Sequence, residues 1–186
     1  MTRPRRGDYR IFVGAFPSGE LGRRIQVWRQ RIDPPTARIS TPHVTLAGIY
    51  WRSGPPTPEN ESDLIARLQV AQSTIAPFDL LLGGIRRFGN RVLYLGVKPT
   101  DGLLEARKAL LRIVSRDKHR RFRPHLTLAM RLSAAEMDAV ADELRQTPWE
   151  MERWSVPVET LHLMQRGPQD PAWRAIAELQ LEGSAE

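Results

Sequence analysis

Two periodicities run along this chain. Arg10–Phe16 and Arg91–Val97 are compact runs of β-branched, aromatic and aliphatic residues, and each ends at a proline or a lysine–proline pair. They predict strands. Between Ser18 and Ile32 the apolar residues Leu21, Ile25, Trp28 and Ile32 recur at helical spacing, and Asp33-Pro34-Pro35 is expected to stop that helix. Leu103, Leu104, Leu110, Leu111 and Val114 predict a second such helix, capped by Thr100 or Asp101 and ending near Ser115. Arg38–Tyr50 and Phe122–Met130 predict the strands that follow. Each half then continues with a helix (Glu59–Thr74, Ser133–Thr147) and a strand (Phe78–Ile85, Val158–Met164). Ser133-Ala134-Ala135-Glu136 has the spacing of a capping box. Gly83-Gly84 with Gly89-Asn90 predicts a hairpin, and Trp173–Leu181 fits a short helix or a strand.

The pattern repeats because the sequence repeats. A shift of 82 residues aligns Phe12–Ala47 with Tyr94–Ala129 without a gap, and nine of the 36 positions are identical. Chance would give about two, from ordinary residue usage. Five of the nine lie in Pro42-His43-Val44-Thr45-Leu46-Ala47 and Pro124-His125-Leu126-Thr127-Leu128-Ala129. The expected architecture is therefore α+β. Residues 1–186 form a single bilobal domain, with segment 10–50 matching 92–132. Two pseudo-twofold units of antiparallel sheet carry outer helices around a central cleft. Residues 1–8 and 183–186 are expected to be loose ends.

In a strand, His43 and Thr45 share one face and Val44 and Leu46 the other. The second copy behaves identically. If a twofold relates the lobes, both His–Thr pairs point into one cleft. Two imidazoles suit paired general base and general acid catalysis, and two hydroxyls suit the non-bridging oxygens of a phosphodiester. No metal-ligand spacing accompanies either motif, and no metal or cofactor is expected.

Composition narrows the picture. With no cysteine in 186 residues, disulfides, thiol nucleophiles and cysteine-ligated metals are excluded. Lys plus Arg is 28 against 21 Asp plus Glu, for a net charge of +7. Such a surface favours nucleic acid or phosphorylated small molecules. Only three of the basic residues are lysines (Lys98, Lys108 and Lys118), so arginine dominates. No apolar run approaches the roughly 20 residues of a membrane span. A soluble, cytoplasmic, monomeric protein is expected.

Paired H-x-T motifs on a duplicated α+β frame resemble the two-histidine (2H) phosphoesterase superfamily, in particular its bacterial 2′-5′ RNA ligase-like branch, the RNA 2′,3′-cyclic phosphodiesterases. The likeness includes the strand Arg10–Ala15, the lead-in Phe122-Arg123-Pro124, and the tail Leu161–Leu179 with its Gly-Pro turn. It implies His43 with Thr45 and His125 with Thr127 as catalytic pairs; the acid is assigned to His43 and the base to His125, a division that the symmetry of the motifs leaves open. It also implies metal-independent hydrolysis of a ribose 2′,3′-cyclic phosphate, at an RNA end or on a nucleotide, to a 2′-phosphate, with 2′-5′ ligation as the reverse-type activity. Two departures stand out: the first motif continues Leu46-Ala47-Gly48-Ile49-Tyr50, and Met130 displaces the expected arginine to Arg131. Arg123 and Arg131 are candidates for binding the phosphate, and Tyr50, Trp51 or Phe88 for stacking on a base. Arg86, Arg87 and Arg91 lie on the hairpin that carries Phe88. His162 is a cleft or structural histidine, and His119 is expected in an exposed polar turn. A non-catalytic RNA or phosphometabolite binder, and a 2′-5′ oligonucleotide phosphodiesterase, are the alternatives.

Overall fold

In the computed structural model, which describes residues 8–115 and 121–183, the alternating segments assemble into one curled antiparallel sheet of eight strands. Along the chain the elements are β1 (Tyr9–Ala15), α1 (Gly19–Ile32), α2 (Pro34–Ile39), β2 (Val44–Arg52), α3 (Ser62–Ala71), β3 (Phe78–Phe88) and β4 (Val92–Lys98). They continue with α4 (Asp101–Val114), β5 (His125–Ala129), α5 (Ala134–Arg145), α6 (Pro148–Met151), β6 (Trp154–Val158), β7 (Thr160–Arg166) and β8 (Arg174–Gln180). The order across the sheet is β6-β3-β4-β5-β2-β1-β7-β8. His119, Arg120 and the extreme ends lie outside the described residues.

The lobes are not the two halves of the sequence. β3, from the first half, pairs with β4 and β6, while β7 and β8, from the second half, return to β1. The helices cross as well: α1 packs against β5 and α4 against β2. Each four-stranded group is built from both halves, and the groups meet where β2 pairs with β5 through Val44 and Leu126.

Local chemistry explains where the elements depart from the pattern. The Asp33-Pro34-Pro35 stop ends α1 and also starts α2. The Asp33 side chain accepts the Thr36 amide at 3.1 Å, and prolines suit a first helical turn. The expected strand over Arg38–Tyr50 therefore begins only at Val44. The strand expected over Phe122–Met130 is shortened to His125–Ala129. Glu59–Thr74 is α3 flanked by two 3-10 turns, and Trp173–Leu181 contains the strand β8. Gly83 and Gly84 lie within β3, at a bulge opposite β4, and the hairpin turn is at Gly89-Asn90. The capping box at Ser133 and Glu136 is formed, and Thr100 caps α4.

The apolar face of the sheet is sealed beneath the helices. Ile11, Val13, Val44, Leu46, Leu95, Leu126 and Leu128 have no accessible surface. Two buried polar groups fasten the crossings. Asp33 accepts the amides of Met130 at 2.8 Å and Arg131 at 3.0 Å, just past the end of β5. Arg107, on α4, donates to the Leu46 carbonyl in β2. Burial pushes the Asp33 carboxyl up, but these amide hydrogen bonds outweigh it and hold the group below the usual carboxylate range. Asp33→Ala strips three backbone amides of their acceptor and should destabilise the fold by roughly 3 kcal/mol. The midpoint of urea unfolding, compared with wild type, measures it. Because its folded-state pKa is depressed, the Asp33 contribution is present at neutral pH and is lost as pH falls through that pKa.

Candidate active site

The register between β2 and β5 decides which side chains meet. Val44 opposes Leu126, both on the core face. Their neighbours His43, Thr45, His125 and Thr127 must then share the other face. A shift of 82 residues carries Val44 onto Leu126, so the opposed pair is also the repeat-equivalent pair, and the pseudo-twofold axis passes through it. All four His and Thr side chains are half-buried.

Each imidazole is oriented in the same way. His43 Nδ1 lies 2.8 Å from the Thr41 carbonyl oxygen, and His125 Nδ1 lies 2.8 Å from that of Arg123. A carbonyl only accepts, so Nδ1 carries the hydrogen and donates it, and Nε2 keeps its lone pair. An aromatic wall backs each ring. Phe12 stacks on His43 at 4.8 Å, and Phe16 is 5.3 Å from it. Tyr94, the repeat equivalent of Phe12, is 5.1 Å from His125, and Phe88 meets His125 edge-on at 4.9 Å. Gly14 makes the first contact possible. A Cβ there would sit 2.9 Å from the Phe12 ring, which lies across that space.

Burial and charge bias the His43 half-site. Burial pushes the His43 imidazole down to about 4, and the charges of Arg29 and His125 push the same way. The Thr41 carbonyl pulls upward but does not offset them. Arg29 is only 1% exposed and donates to the Thr36 carbonyl at 3.2 Å. Burial lowers its own pKa to about 10, against the opposing pull of Asp33. The repeat equivalent of Arg29 is Leu111, so this buried arginine is not repeated on α4.

The remaining candidates divide. Phe88 lies against His125, on the cleft side. Tyr50 does not line the cleft: it opposes Ile11 on the core face, is 8% exposed, and donates its hydroxyl to the Ser115 carbonyl. Trp51, one residue on, opposes Arg10 on the cleft face and is 46% exposed. Arg123 contributes its carbonyl to His125, and its side chain is exposed. Arg131 is tied to Asp33 through its backbone, with its side chain exposed. His162 opposes Gly14 on the cleft face, near Phe16 at 5.0 Å and Glu178 at 3.8 Å. Arg86 lies over Gly96, with Nε 3.1 Å from where a Cβ would be. Phe12, Tyr94 and Arg29 are the site neighbours that strand and helix patterning had assigned to structure alone. Among the described residues, no group of three or more His, Asp or Glu is placed to hold a metal ion. No helix among them is long and apolar enough to cross a membrane.

The model of the 2′-5′ RNA ligase superfamily matches residues 17–182, which include both H-x-T motifs. The chain belongs to that superfamily. A Bacillus cytotoxicus protein bearing the name phosphoesterase is 28% identical over 159 residues, covering 83% of this chain and 87% of its own. A Bacillus cereus protein of the same name is 28% identical over 158 residues, with the same coverage. Among solved structures, E. coli LigT in complex with 3′-AMP superposes with a TM-score of 0.64 at 24% identity, covering 94% of this chain and 98% of LigT. A Thermus thermophilus protein gives 0.61 at 23%, covering 95% and 100%. These solved structures share the fold of this superfamily member.

The sign of the His43 shift sets a pH prediction. Between about 6.5 and about 4 the unfolded chain takes up a proton that folded His43 refuses. Its contribution to stability is complete above pH 6.5 and is lost as pH falls through 4, a change of roughly 3 kcal/mol. An NMR titration of the His43 ring should give a midpoint near 4. His43→Asn should flatten this part of the stability–pH curve. In Arg29→Met the His43 midpoint should rise by a smaller amount, since burial is the larger cause.

Proposed function

We propose that this superfamily member is a phosphodiesterase that hydrolyses a ribose 2′,3′-cyclic phosphate, on an RNA end or a nucleotide, to a 2′-phosphate. The observation that carries this reading is the placement of two equivalent His–Thr pairs on one sheet face, each imidazole oriented by the same Nδ1 hydrogen bond to a backbone carbonyl. One imidazole takes a proton from water as the water oxygen attacks phosphorus. The P–O3′ bond breaks, and the other imidazole gives a proton to the departing 3′ oxygen. Water is consumed, and the two histidines exchange protonation states. The Thr45 and Thr127 hydroxyls donate to the non-bridging oxygens, where charge builds up in the transition state. Phe12 and Tyr94 hold the rings in place, and Phe88 offers a face to a base. The 3′-AMP in E. coli LigT is a ligand of the expected chemical class.

His43 starts without a proton in the free protein, which is the state of a base. For it to serve as the acid, an incoming phosphate anion must raise its pKa. Titrating His43 in the presence of a nucleoside 2′-phosphate separates the roles: a midpoint raised past about 6 supports the acid, and an unmoved one the base.

His43→Ala and His125→Ala should each lower kcat/KM for a 2′,3′-cyclic nucleotide by about 10²- to 10⁴-fold. Thr45→Val and Thr127→Val should each lower it by roughly tenfold to a few hundredfold. EDTA should leave the rate unchanged. Full activity in both histidine variants overturns the mechanism. RNA binding with a steep salt dependence but no turnover would favour a binding protein.

A further inference from the structure

A second basic cluster lies on the same cleft face, away from the histidines. Arg10 on β1 opposes Arg166 on β7 and Trp51 on β2. It is two and four residues from Phe12 and Gly14, and Gly14 opposes Thr45, so all of them share the catalytic face. The Arg10 guanidinium carbon lies 5.3 Å from the ring centres of both Trp51 and Trp173. Trp173 meets Phe12 edge-on at 4.7 Å, and Phe12 stacks on His43 at 4.8 Å. A continuous line of rings therefore runs from the catalytic imidazole to this arginine pair.

The pair lacks a counter-charge. Arg166 Nε donates to the Asp170 backbone carbonyl at 3.1 Å, a neutral acceptor. Among the described residues, neither guanidinium has a carboxylate within ion-pair distance. Both are half-buried. Burial lowers the Arg10 pKa, and the charge of Arg166 lowers it further. Two like charges held side by side are costly unless an anion joins them, and the planar guanidinium fork suits phosphate. The repeat equivalents of Arg10 and Trp51 are Val92 and Ser133, so the cluster exists on one side of the cleft only. With a tryptophan-flanked arginine pair on one side and Arg86 on the other, the cleft is not symmetric in charge, which suits a ligand with direction, such as a nucleic-acid strand.

We propose that Arg10 and Arg166 form a second phosphate subsite, which holds an upstream phosphodiester of an RNA strand whose terminal cyclic phosphate lies between His43 and His125. This rests on the phosphodiesterase reading above. Bases of the strand would stack on Trp51 and Trp173 while its backbone crosses the arginines.

The test compares three substrates: adenosine 2′,3′-cyclic phosphate, its 5′-phosphorylated form, and a trinucleotide ending in the same cyclic phosphate. Wild type should show a KM about tenfold lower for the trinucleotide than for the nucleoside. Arg10→Gln and Arg166→Gln should each remove most of that gain and reduce the salt slope of trinucleotide binding by about one. Turnover of the nucleoside should stay within about twofold. Arg10→Lys, which keeps the charge, should restore the salt slope. Thermal melting checks that each variant is folded.

Equal KM values for nucleoside and trinucleotide in wild type, or equal losses on both in the variants, overturn the subsite. A full gain from the 5′-phosphate alone overturns the strand. If wild type turns over none of the three, the phosphodiesterase reading fails on its own. The subsite is then judged by fluorescence anisotropy of a labelled trinucleotide 2′-phosphate. About tenfold weaker binding in the glutamine variants upholds it, and unchanged binding overturns it.

Discussion

The pairing of Val44 with Leu126 is the constraint on which the site depends. It is the point where the two four-stranded groups join, and it lies on the axis that exchanges the repeats. With this register, two buried aliphatic side chains point to the core and four polar ones to the cleft. A slip of one residue on either strand would turn a His–Thr pair into the core and bring a valine or leucine into the cleft. So short a seam cannot fix the register alone. The crossed helices do so from behind, with Asp33 holding the amides beyond β5 and Arg107 holding a carbonyl of β2. The exchange of β3 and β7 between halves adds a topological constraint, because neither group of strands is complete without the other half of the chain.

Symmetry supplies two imidazoles, but the proposed proton relay requires them to differ at any instant. Their neighbours do not repeat. Arg29 faces the His43 side and is Leu111 on the other. Phe16 flanks His43, and its equivalent is Lys98. Phe88 flanks His125 from β3, across the intervening strand β4. Motif geometry is kept in both copies, down to the 2.8 Å hydrogen bond at each Nδ1, while the flanking side chains diverge. Duplication followed by divergence around a fixed motif gives two groups of the same kind in different surroundings.

Much of this was legible in the sequence. The repeat, the two H-x-T strands, the shared face of His and Thr, and the α+β class follow from period-two and helical patterning. The core-facing position of Tyr50 depends on two bulges in β2 opposite β1, which period-two patterning does not show. The strand β6 was hidden because Trp154-Ser155-Val156-Pro157-Val158 carries a proline. At a sheet edge, where β6 lies, a missing N–H is tolerated. The helix α2 was hidden because Asp-Pro-Pro reads as a stop, although the same residues cap and start a helix. The crossing of β3 and β7 is a long-range choice that no local signal encodes. Nor does local patterning show that Phe12 leans across Gly14 to reach His43.

The arginine excess now divides by position. Arg29 and Arg107 are buried and bind backbone carbonyls of the fold. Arg23, Arg31, Arg87 and Arg145 pair with acidic side chains at the surface. Such exposed pairs contribute little to stability, but they do neutralise charge. The surface pairs do not serve the cleft, and Arg29 acts on it only through its charge near His43. Arg10, Arg86 and Arg166 are different, because strand register places all three on the face that carries the His–Thr pairs. A surplus of guanidinium groups that is general in composition is thus specific in consequence. What matters for a phosphate substrate is not the count of basic residues but the few that the sheet aims inward without a carboxylate beside them.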